Sequence, residues 1–381
     1  MAHAMIGGVP RETVEGEKRV AIVPEAVPKI GQLTIEVERD AGAKAGFSDA
    51  AFAEAGARVV DDAKRLYDDA DLILKIQVPS VDEAASFKEG GALVSYLYPL
   101  NNLPAMKKLS ERGVTAFALD LMPRISRAQA MDTLSSQATL AGYRAVTMAA
   151  DMLPKIFPLM MMAAGTIPPA RVFVLGAGVS GLQAIATAHR LGAVVEAYDV
   201  RPTVKEQIES LGAKFVELPI QAQESQTSGG YAKSQSEDFY RKQQELLGER
   251  MKVADVVIST ALVPGKKAPL LISEDAVKGM RPGSVIIDLA AEQGGNCAIT
   301  EPGKTVVKHG VVIRGPLNVP SDMAPQASQL FSRNMAAYVG AIVKDQKLNL
   351  DTQDQLVRDP MVLLKGEVVY KPLKDALERS S

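Results

Sequence analysis

Cysteine is almost missing: Cys297 is the sole thiol in 381 residues. One thiol cannot close an internal disulfide, which points to a reducing compartment. Histidine is scarce too, and His3, His189 and His309 do not cluster with Cys297, so the sequence holds no zinc pattern. No sign of charge prevails. With 43 basic and 45 acidic side chains the formal net charge is −2. That argues against nucleic acid or an anionic membrane surface as the main partner, since either calls for a basic face. Long apolar runs are also lacking. The longest, Ile156 to Ala170, is interrupted by Pro158, Pro168 and Pro169 and falls short of the about 20 residues a membrane helix needs. The N-terminus shows no basic stretch leading into an apolar core, so no signal peptide is expected. Together these absences predict a soluble, cytoplasmic chain that reaches a membrane only through a partner.

What is present is an ordinary globular composition, 47% hydrophobic and 23% charged, in a chain long enough for about two domains. Over the first 120 residues strand-like and helix-like segments alternate. Arg19–Val23 reads as a strand followed by a helix opening at Pro24, and Ile35–Val37, Leu72–Ile76, Ala92–Tyr96 and Val114–Ala118 read as further strands. Such alternation indicates a parallel α/β sheet. Residues 122–137 are polar and break the rhythm, and a long helix is expected to begin within or just after them and run to about Phe157. A second α/β unit opens at Arg171, with strands at Val172–Leu175, Val194–Tyr198, Lys214–Val216, Val256–Ser259, Val285–Asp288 and Val311–Arg314. The polar stretch from Pro219 to about Glu245 reads as a functional flap or a disordered insert. From about Ala324 the chain reads as helical, then less regular, packing back on the first domain. No tandem repeat is found.

The sharpest local signal is Val172-Phe-Val-Leu-Gly176-Ala-Gly178-Val179-Ser-Gly181. A GxGxxG alone is weak. Here an apolar strand precedes it, a helical segment follows, and a second strand ends at Asp199, 18 residues past Gly181. This is the βαβ dinucleotide fingerprint. Gly176 permits the tight turn, Gly178 lets backbone N–H groups approach a pyrophosphate, and Gly181 lets helix and strand pack closely. Asp199 accepts hydrogen bonds from a ribose and repels a 2′-phosphate, which favours NAD over NADP. Arg201 pulls the other way, because an arginine here accommodates that phosphate. The plain alternative is a glycine turn with Asp199 capping the next loop.

Further segments carry a resemblance. Pro10-Arg-Glu-Thr with Gly16-Glu-Lys-Arg19-Val-Ala and Pro24-Glu, Ala70–Lys75, Ala141-Gly-Tyr-Arg-Ala145, Gly165–Arg171, Asp288-Leu-Ala-Ala-Glu-Gln-Gly-Gly-Asn296 and Asn318-Val-Pro320 together resemble the alanine dehydrogenase / transhydrogenase α-subunit superfamily. The likeness runs from Arg11 to about Ser321. Two branches share this frame. Alanine dehydrogenases hold pyruvate with a basic pair, matched here by Arg19 and Lys75, and work with a histidine and an aspartate. This chain has Tyr98 in Tyr96-Leu-Tyr98-Pro99 where the histidine falls, and Glu292 where the aspartate falls. Amine–imine chemistry needs a group that titrates near neutral pH, and a tyrosine with a pKa near ~10 is a poor substitute. Hydride transfer between two nicotinamides needs no protein base, only two rings held face to face with water excluded.

The segment Pro123–Gln137 closely resembles the loop that transhydrogenase α subunits use beside the NAD(H) nicotinamide. By that resemblance Arg124 anchors the loop and orients the ring, Gln129 bridges toward the second nucleotide, and Asp132 and Ser135 hold the carboxamide or ribose. From spacing alone, a helix N-terminus capped by Asp132 or Ser135, with Arg124 on the surface, reads equally well. Gly229-Gly-Tyr231-Ala-Lys resembles a mobile loop that folds over nucleotide, against the alternative of a solvated insert, and Thr260-Ala261-Leu262 resembles the segment lying against the NAD ribose. The cofactor-binding set is then Gly176, Gly178, Val179, Gly181, Asp199, Val200, Tyr231, Ala261 and Leu262, with no metal. Arg19 and Lys75 read as relics of a substrate site or as members of an ion pair.

The expected architecture is two doubly wound Rossmann-like α/β domains with a cleft between them that holds the nicotinamide. The first domain is discontinuous, 1–135 plus 324–381, and the second, 136–323, binds NAD(H). Only one fingerprint is present, so NADP(H) is expected on a partner, a β subunit, with a membrane-spanning subunit coupling Re/Si-specific hydride transfer to proton movement. The resemblance implies the separate subunit of a split enzyme, a homodimer, and a place at the inner face of a bacterial plasma membrane. Two rivals stay open: a self-sufficient amino-acid dehydrogenase, and a non-catalytic NAD-binding regulator, against which the Arg124–Ser135 loop argues.

Overall fold

The structure, a computed structural model, describes residues 5–30, 32–220, 236–262 and 267–380. They form two compact units, Met1–Gln137 with Pro320–Ser381, and Ala138–Val319.

In the first unit six strands run parallel: β1 (Ile6–Val9), β2 (Thr34–Glu38), β3 (Arg58–Val60), β4 (Leu72–Leu74), β5 (Ala92–Ser95) and β6 (Thr115–Ala118). Their spatial order is β3-β2-β1-β4-β5-β6. Strands β4, β5 and β6 are buried along their whole length, the pattern of a parallel sheet covered on both faces. Between them lie α1 (Asp49–Glu54), α2 (Ala63–Asp69), α3 (Val81–Ser86) and α4 (Leu103–Glu111). Three of these helices start on a side-chain oxygen. Ser48, Asp62 and Ser80 accept from the N–H groups of Ala51, Lys64 and Glu83, and Glu83 answers by accepting from the Ser80 N–H.

Helix α5 (Thr133–Met152) contains the boundary between the two units in sequence. It ends five residues short of the expected Phe157, because Pro154 restricts the residue before it and removes a donor. The apolar run that follows is a hairpin, β7 (Met160–Met162) with β8 (Gly165–Ile167). The second unit then builds β9 (Arg171–Leu175), β10 (Val194–Tyr198), β11 (Lys214–Phe215), β12 (Val256–Ser259), β13 (Val285–Asp288), β14 (Thr305–Lys308) and β15 (Val311–Arg314), with α6 (Val179–Arg190), α7 (Lys205–Ser210), α8 (Glu237–Met251) and α9 (Glu274–Lys278). The sheet order is β11-β10-β9-β12-β13-β15-β14, parallel except for β14. Both sheets therefore reverse direction between their first and fourth strands, where a doubly wound fold places its crevice, outside the carboxyl ends of the strands.

The C-terminal part is more regular than the sequence suggests. It forms α10 (Ala324–Ile342), a small hairpin β16 (Val343–Lys344) and β17 (Lys347–Leu348), α11 (Gln355–Arg358), β18 (Met361–Leu364), β19 (Glu367–Val368) and α12 (Lys371–Ser380). Strand β18 pairs antiparallel with β6 and β19 pairs with β18, which extends the first sheet to eight strands. Helix α10 also corrects one expectation. Arg19–Val23 is buried but not a strand. The N–H groups of Val20 and Val23 donate to Ser328 Oγ and Ser332 Oγ of α10, each at 3.0 Å. Serine hydroxyls one helical turn apart take the bonds a neighbouring strand would supply. Pro24 opens a 3₁₀ helix (Pro24–Ile30), which contains Pro28.

Within the second unit, Gly142 of α5 meets the first turn of α6. A Cβ at Gly142 would lie 2.1 Å from the Ser180 carbonyl oxygen, and Ser180 Oγ donates to the Ala138 carbonyl at 2.8 Å. This explains the glycine of the Ala141–Ala145 motif. Gly142→Ala is expected to destabilise the protein by ~1–3 kcal/mol, the range for overpacking. Urea unfolding at an unchanged midpoint would refute this packing.

Candidate functional site

The switch point of the second sheet is a glycine cradle. Gly176 follows β9 with φ +95°, and a Cβ there would lie 2.8 Å from Thr260 Oγ1 and 3.2 Å from the Ala261 nitrogen. At Gly181 a Cβ would sit 1.9 Å from the Gly176 carbonyl oxygen, so the first turn of α6 rests directly on the turn that precedes it. Gly178, the N-cap of α6, is different. Its φ is −75°, which any residue adopts, and a Cβ there would meet nothing within 4 Å. The space at Gly178 is open, beside the leading N–H groups of a helix whose last turn carries His189 and Arg190. That setting favours an anion. Val179 and Leu262 are exposed, and Val200 and Ala261 are half-buried.

Asp199 closes the strand beside this cradle and is bound from four directions. Its Oδ2 accepts from the Ala177 N–H at 2.7 Å and from Arg201 Nη2 at 2.8 Å. Its Oδ1 accepts from the Arg201 backbone N–H and from Arg201 Nε, each at 2.8 Å. The pairing raises the Arg201 pKa above its usual value, chiefly through the Asp199 hydrogen bonds, against partial burial. The sequence flagged Arg201 only as a caution on cofactor choice. The structure shows it clasping the acidic residue itself.

The segment after β12 is held by Asn296, a residue that the sequence motif contained without showing its purpose. Asn296 Oδ1 accepts from Ser259 Oγ at 2.6 Å and from the Ala261 N–H at 3.0 Å. Its Nδ2 donates to the carbonyls of Ala261 and Pro269, both at 2.8 Å. Asn296 is set in turn by Asp288, whose carboxylate accepts from the N–H groups of Ala290, Asn296 and Cys297 and from Thr300 Oγ1. Gly294 and Gly295, at φ +96° and +78°, make the turn that lets the chain wrap this carboxylate. Glu292 accepts from the Asn318 N–H, so the Asp288–Asn296 and Asn318–Pro320 motifs meet through it. Tyr231 lies outside the described residues, as does the Gly229–Lys233 segment around it.

In the first unit the residues 124–135 are brought together only partially. Asp132 caps α5: its Oδ1 accepts from the Ser135 N–H at 2.9 Å and its Oδ2 from Ser135 Oγ at 2.6 Å. Residues Ser126–Met131 form a 3₁₀ helix with Ala128 buried and Gln129 exposed. Arg127 pairs with Asp354 at 3.0 Å, and Asn334 Nδ2 donates to the Ala130 carbonyl. Arg124 is exposed. The side chains of Arg124 and Gln129 thus stand on a segment whose backbone is fixed from beneath.

The switch point of the first sheet holds buried charge. Arg19 forks onto Glu17, with Nε to Oε1 at 2.8 Å and Nη2 to Oε2 at 2.6 Å, and its Nη1 donates to Gln137 at 2.8 Å. Lys75 Nζ lies 2.9 Å from Glu83 and 3.4 Å from Glu12. Burial works to raise Glu17, but the hydrogen bonds and charge of Arg19 outweigh it and hold the carboxyl at about 2. For Glu12 burial wins and pushes the pKa up despite Lys75. Arg19 and Lys75 are therefore members of ion pairs. Tyr98 is exposed at φ +39° and donates its N–H to Asp120.

Among the described residues no group of three or more His, Cys, Asp and Glu is placed to hold a metal ion, and no helix is long and apolar enough to cross a membrane. What the fold and the cradle define is a two-domain α/β protein of Rossmann type, with its glycine turn at the switch point of the second sheet. The family description "Alanine dehydrogenase/PNT, N-terminal domain" matches residues 8–141, and "Alanine dehydrogenase/PNT, C-terminal domain" matches residues 145–371. The chain belongs to the alanine dehydrogenase/PNT family. It is 50% identical over 375 residues to the first part of NAD(P) transhydrogenase subunit alpha of Rhodospirillum rubrum, covering 96% of this chain and 98% of that one. The crystal structure of transhydrogenase from Sinorhizobium meliloti matches with a TM-score of 0.86 at 42% identity, over 96% of this chain and 100% of that chain. Alanine dehydrogenase 2 of Staphylococcus aureus is 30% identical over 393 residues, 97% of this chain and 99% of that one.

The Arg19–Glu17 pair predicts a pH dependence. A carboxyl whose folded pKa is depressed contributes stability that is full above its ordinary value of 4.5 and is lost as pH falls toward 2. Glu17→Gln leaves a buried guanidinium without its counter-charge and is expected to cost ~3–5 kcal/mol at pH 7. Its stability should also fall less steeply than the parent's between those pH values. Equal urea midpoints at pH 7 would refute the assignment.

Proposed function

We propose that this chain is the NAD(H)-binding subunit of a proton-translocating NAD(P) transhydrogenase of the Re/Si-specific kind. It catalyses reversible hydride transfer between NADH and NADP⁺. NADP(H) is carried by a partner β subunit, and a membrane-spanning partner moves the proton. The chain itself lies in the cytoplasm at the inner face of a bacterial plasma membrane. The carrying observation is the joint likeness, 50% over nearly the whole chain to a transhydrogenase α-subunit chain against 30% to an alanine dehydrogenase. Two residues support it. Tyr98 and Glu292 replace the titrating pair that amine chemistry requires, and Glu292 is already engaged by the Asn318 amide.

The second unit suits a dinucleotide substrate. Open space at Gly178 with helix N–H groups beside it matches a pyrophosphate, Asp199 matches a ribose, and the Asn296-braced Ala261–Leu262 segment supplies a fixed wall. When bound, the nicotinamide supplies the hydride. The segment from Arg124 to Ser135 is our candidate for the nicotinamide end. Its backbone is pinned by Ala128, Arg127 and Asn334, which leaves Gln129 on a fixed base. A homodimer is supported by the β7–β8 hairpin. Residues 157–170 carry no charge, and Met161 is 78% exposed. Apolar strand edges of this kind are normally covered in an assembly.

Two measurements test the reading. Because an added Cβ at Gly178 meets no protein atom, Gly178→Ala should leave the melting temperature unchanged yet weaken NADH binding by ~1–3 kcal/mol through the intruding methyl. NADH titrating equally into both proteins would remove the pyrophosphate assignment. Mixed with a purified NADP(H)-binding component, the chain should transfer hydride from NADH in a single turnover. Gln129→Asn should slow that transfer about 10²-fold, the cost of misplacing reacting atoms by about 1 Å, while NADH affinity stays within a few-fold. An unchanged rate would discard the Gln129 segment. Steady NADH turnover with pyruvate and ammonia would overturn the transhydrogenase reading altogether.

A further inference from the structure

The acidic residue that the fingerprint assigns to the ribose is not accessible to a ribose as it stands. The Asp199 side chain is 5% exposed and that of Arg201 13%. A carboxylate offers about four lone-pair positions, and all are taken: by the Ala177 N–H, the Arg201 N–H, Arg201 Nε and Arg201 Nη2. Two of these donors are backbone and two belong to the guanidinium. The distinction decides what can be displaced. The backbone pair fixes the carboxylate without help from the arginine side chain. Pro202 follows Arg201, opens the 3₁₀ helix Pro202–Val204, and keeps Arg201 extended at φ −92°, ψ 111°. The Arg201 N–H therefore stays on Oδ1 wherever its side chain goes.

The guanidinium places one N–H on each carboxylate oxygen, a planar fork closing on a planar acceptor. A ribose 2′,3′-diol also has two adjacent O–H donors and would use the same two positions. Charge enters as well. Paired with Arg201 the site is neutral, so it repels a 2′-phosphate far less than a bare carboxylate would. A displaced guanidinium would also be a ready partner for that phosphate.

Resting on the NAD(H)-binding reading above, we propose that Arg201 is a specificity-determining residue. Its side chain occupies the two positions on Asp199 that the adenosine ribose must take, so it competes with the ribose diol, holds down affinity for NAD(H), and narrows discrimination against the 2′-phosphorylated nucleotide. Two hydrogen bonds from the guanidinium are exchanged for two from hydroxyls at each binding event, which makes occupancy of the site readily reversible.

The test is a set of titrations of NADH and NADPH into the full chain and two variants. Arg201→Leu keeps the aliphatic stem and removes the fork. It should bind NADH about tenfold more tightly, and the ratio of NADPH to NADH dissociation constants should widen by about tenfold or more. Arg201→Lys keeps the charge without a bidentate fork, so it should give a smaller gain for NADH with NADPH binding retained. A residue that merely braced the loop would, when removed, weaken both nucleotides together. The proposal is overturned if Arg201→Leu binds NADH no better than the parent, or if the ratio is unchanged. Should thermal melting show Arg201→Leu to be unfolded, Arg201→Lys decides alone: an unchanged NADH affinity refutes competition. If the parent chain binds neither nucleotide, the NAD(H)-binding reading fails and takes this proposal with it. If the parent binds NADH and the variants match it, only the role of Arg201 fails.

Discussion

Between Gly181 and the carbonyl oxygen of Gly176 there is no room for a side-chain carbon, since one would sit 1.9 Å from that oxygen. The approach draws the first turn of α6 down onto the end of β9. It aims the leading N–H groups of α6 outward beside Gly178, and it brings the Ala177 N–H to Asp199 Oδ2. Thr260 Oγ1 donates to the Leu175 and Gly176 carbonyls from the far side, so the turn is held from both flanks of the switch point. Helix α5 packs on the same first turn through Gly142. Four chain segments thus meet around one turn, and at Gly142, Gly176 and Gly181 a side-chain carbon would collide with a neighbouring segment.

The first unit has the same parallel strand order and uses its switch point in the opposite way. Where the second sheet leaves open space edged by N–H groups, the first places two sets of paired charge, Arg19 with Glu17 and Lys75 with Glu12 and Glu83. Buried pairs of this kind add little net stability but are costly to break singly. Their larger effect is to fix geometry: Glu17 also accepts from Gln77 Nε2 and from Ser321 Oγ, tying three separate stretches of chain to one carboxylate. One topology can present an open polar rim or an ionic plug, depending on whether its loops carry glycines or paired charges.

The elements that sequence made legible were those with a strong local cause. Buried apolar runs such as Leu72–Leu74 and Val285–Asp288 became strands, and the glycine spacing placed the α6 turn. The two-domain α/β class followed from that alternation. Elements set by distant partners were not legible. Arg19–Val23 has the composition of a strand, but its bonds go to serines more than 300 residues away. Strand β3 begins with an exposed arginine and has only three residues, too little pattern to announce itself. In the site, Asp199 was legible from its spacing to Gly181, whereas its occupation by Arg201 was not, because a charged neighbour two residues on is compatible with many side-chain directions. Asn296 lies inside the Asp288–Asn296 motif, yet its purpose is visible only once the Ala261 segment folds against it.

The serines of α10 have a consequence for how the molecule is made. Val20 and Val23 lie near the beginning of the chain, and the hydroxyls that satisfy them, like strand β18 of the first sheet, lie in its last 60 or so residues. A ribosome delivers the chain from the N-terminus. All of the second unit, Ala138–Val319, is synthesised before those partners. The first unit is therefore begun first and finished last. Until then the amides of Val20 and Val23 lack the hydroxyls that satisfy them in the folded unit.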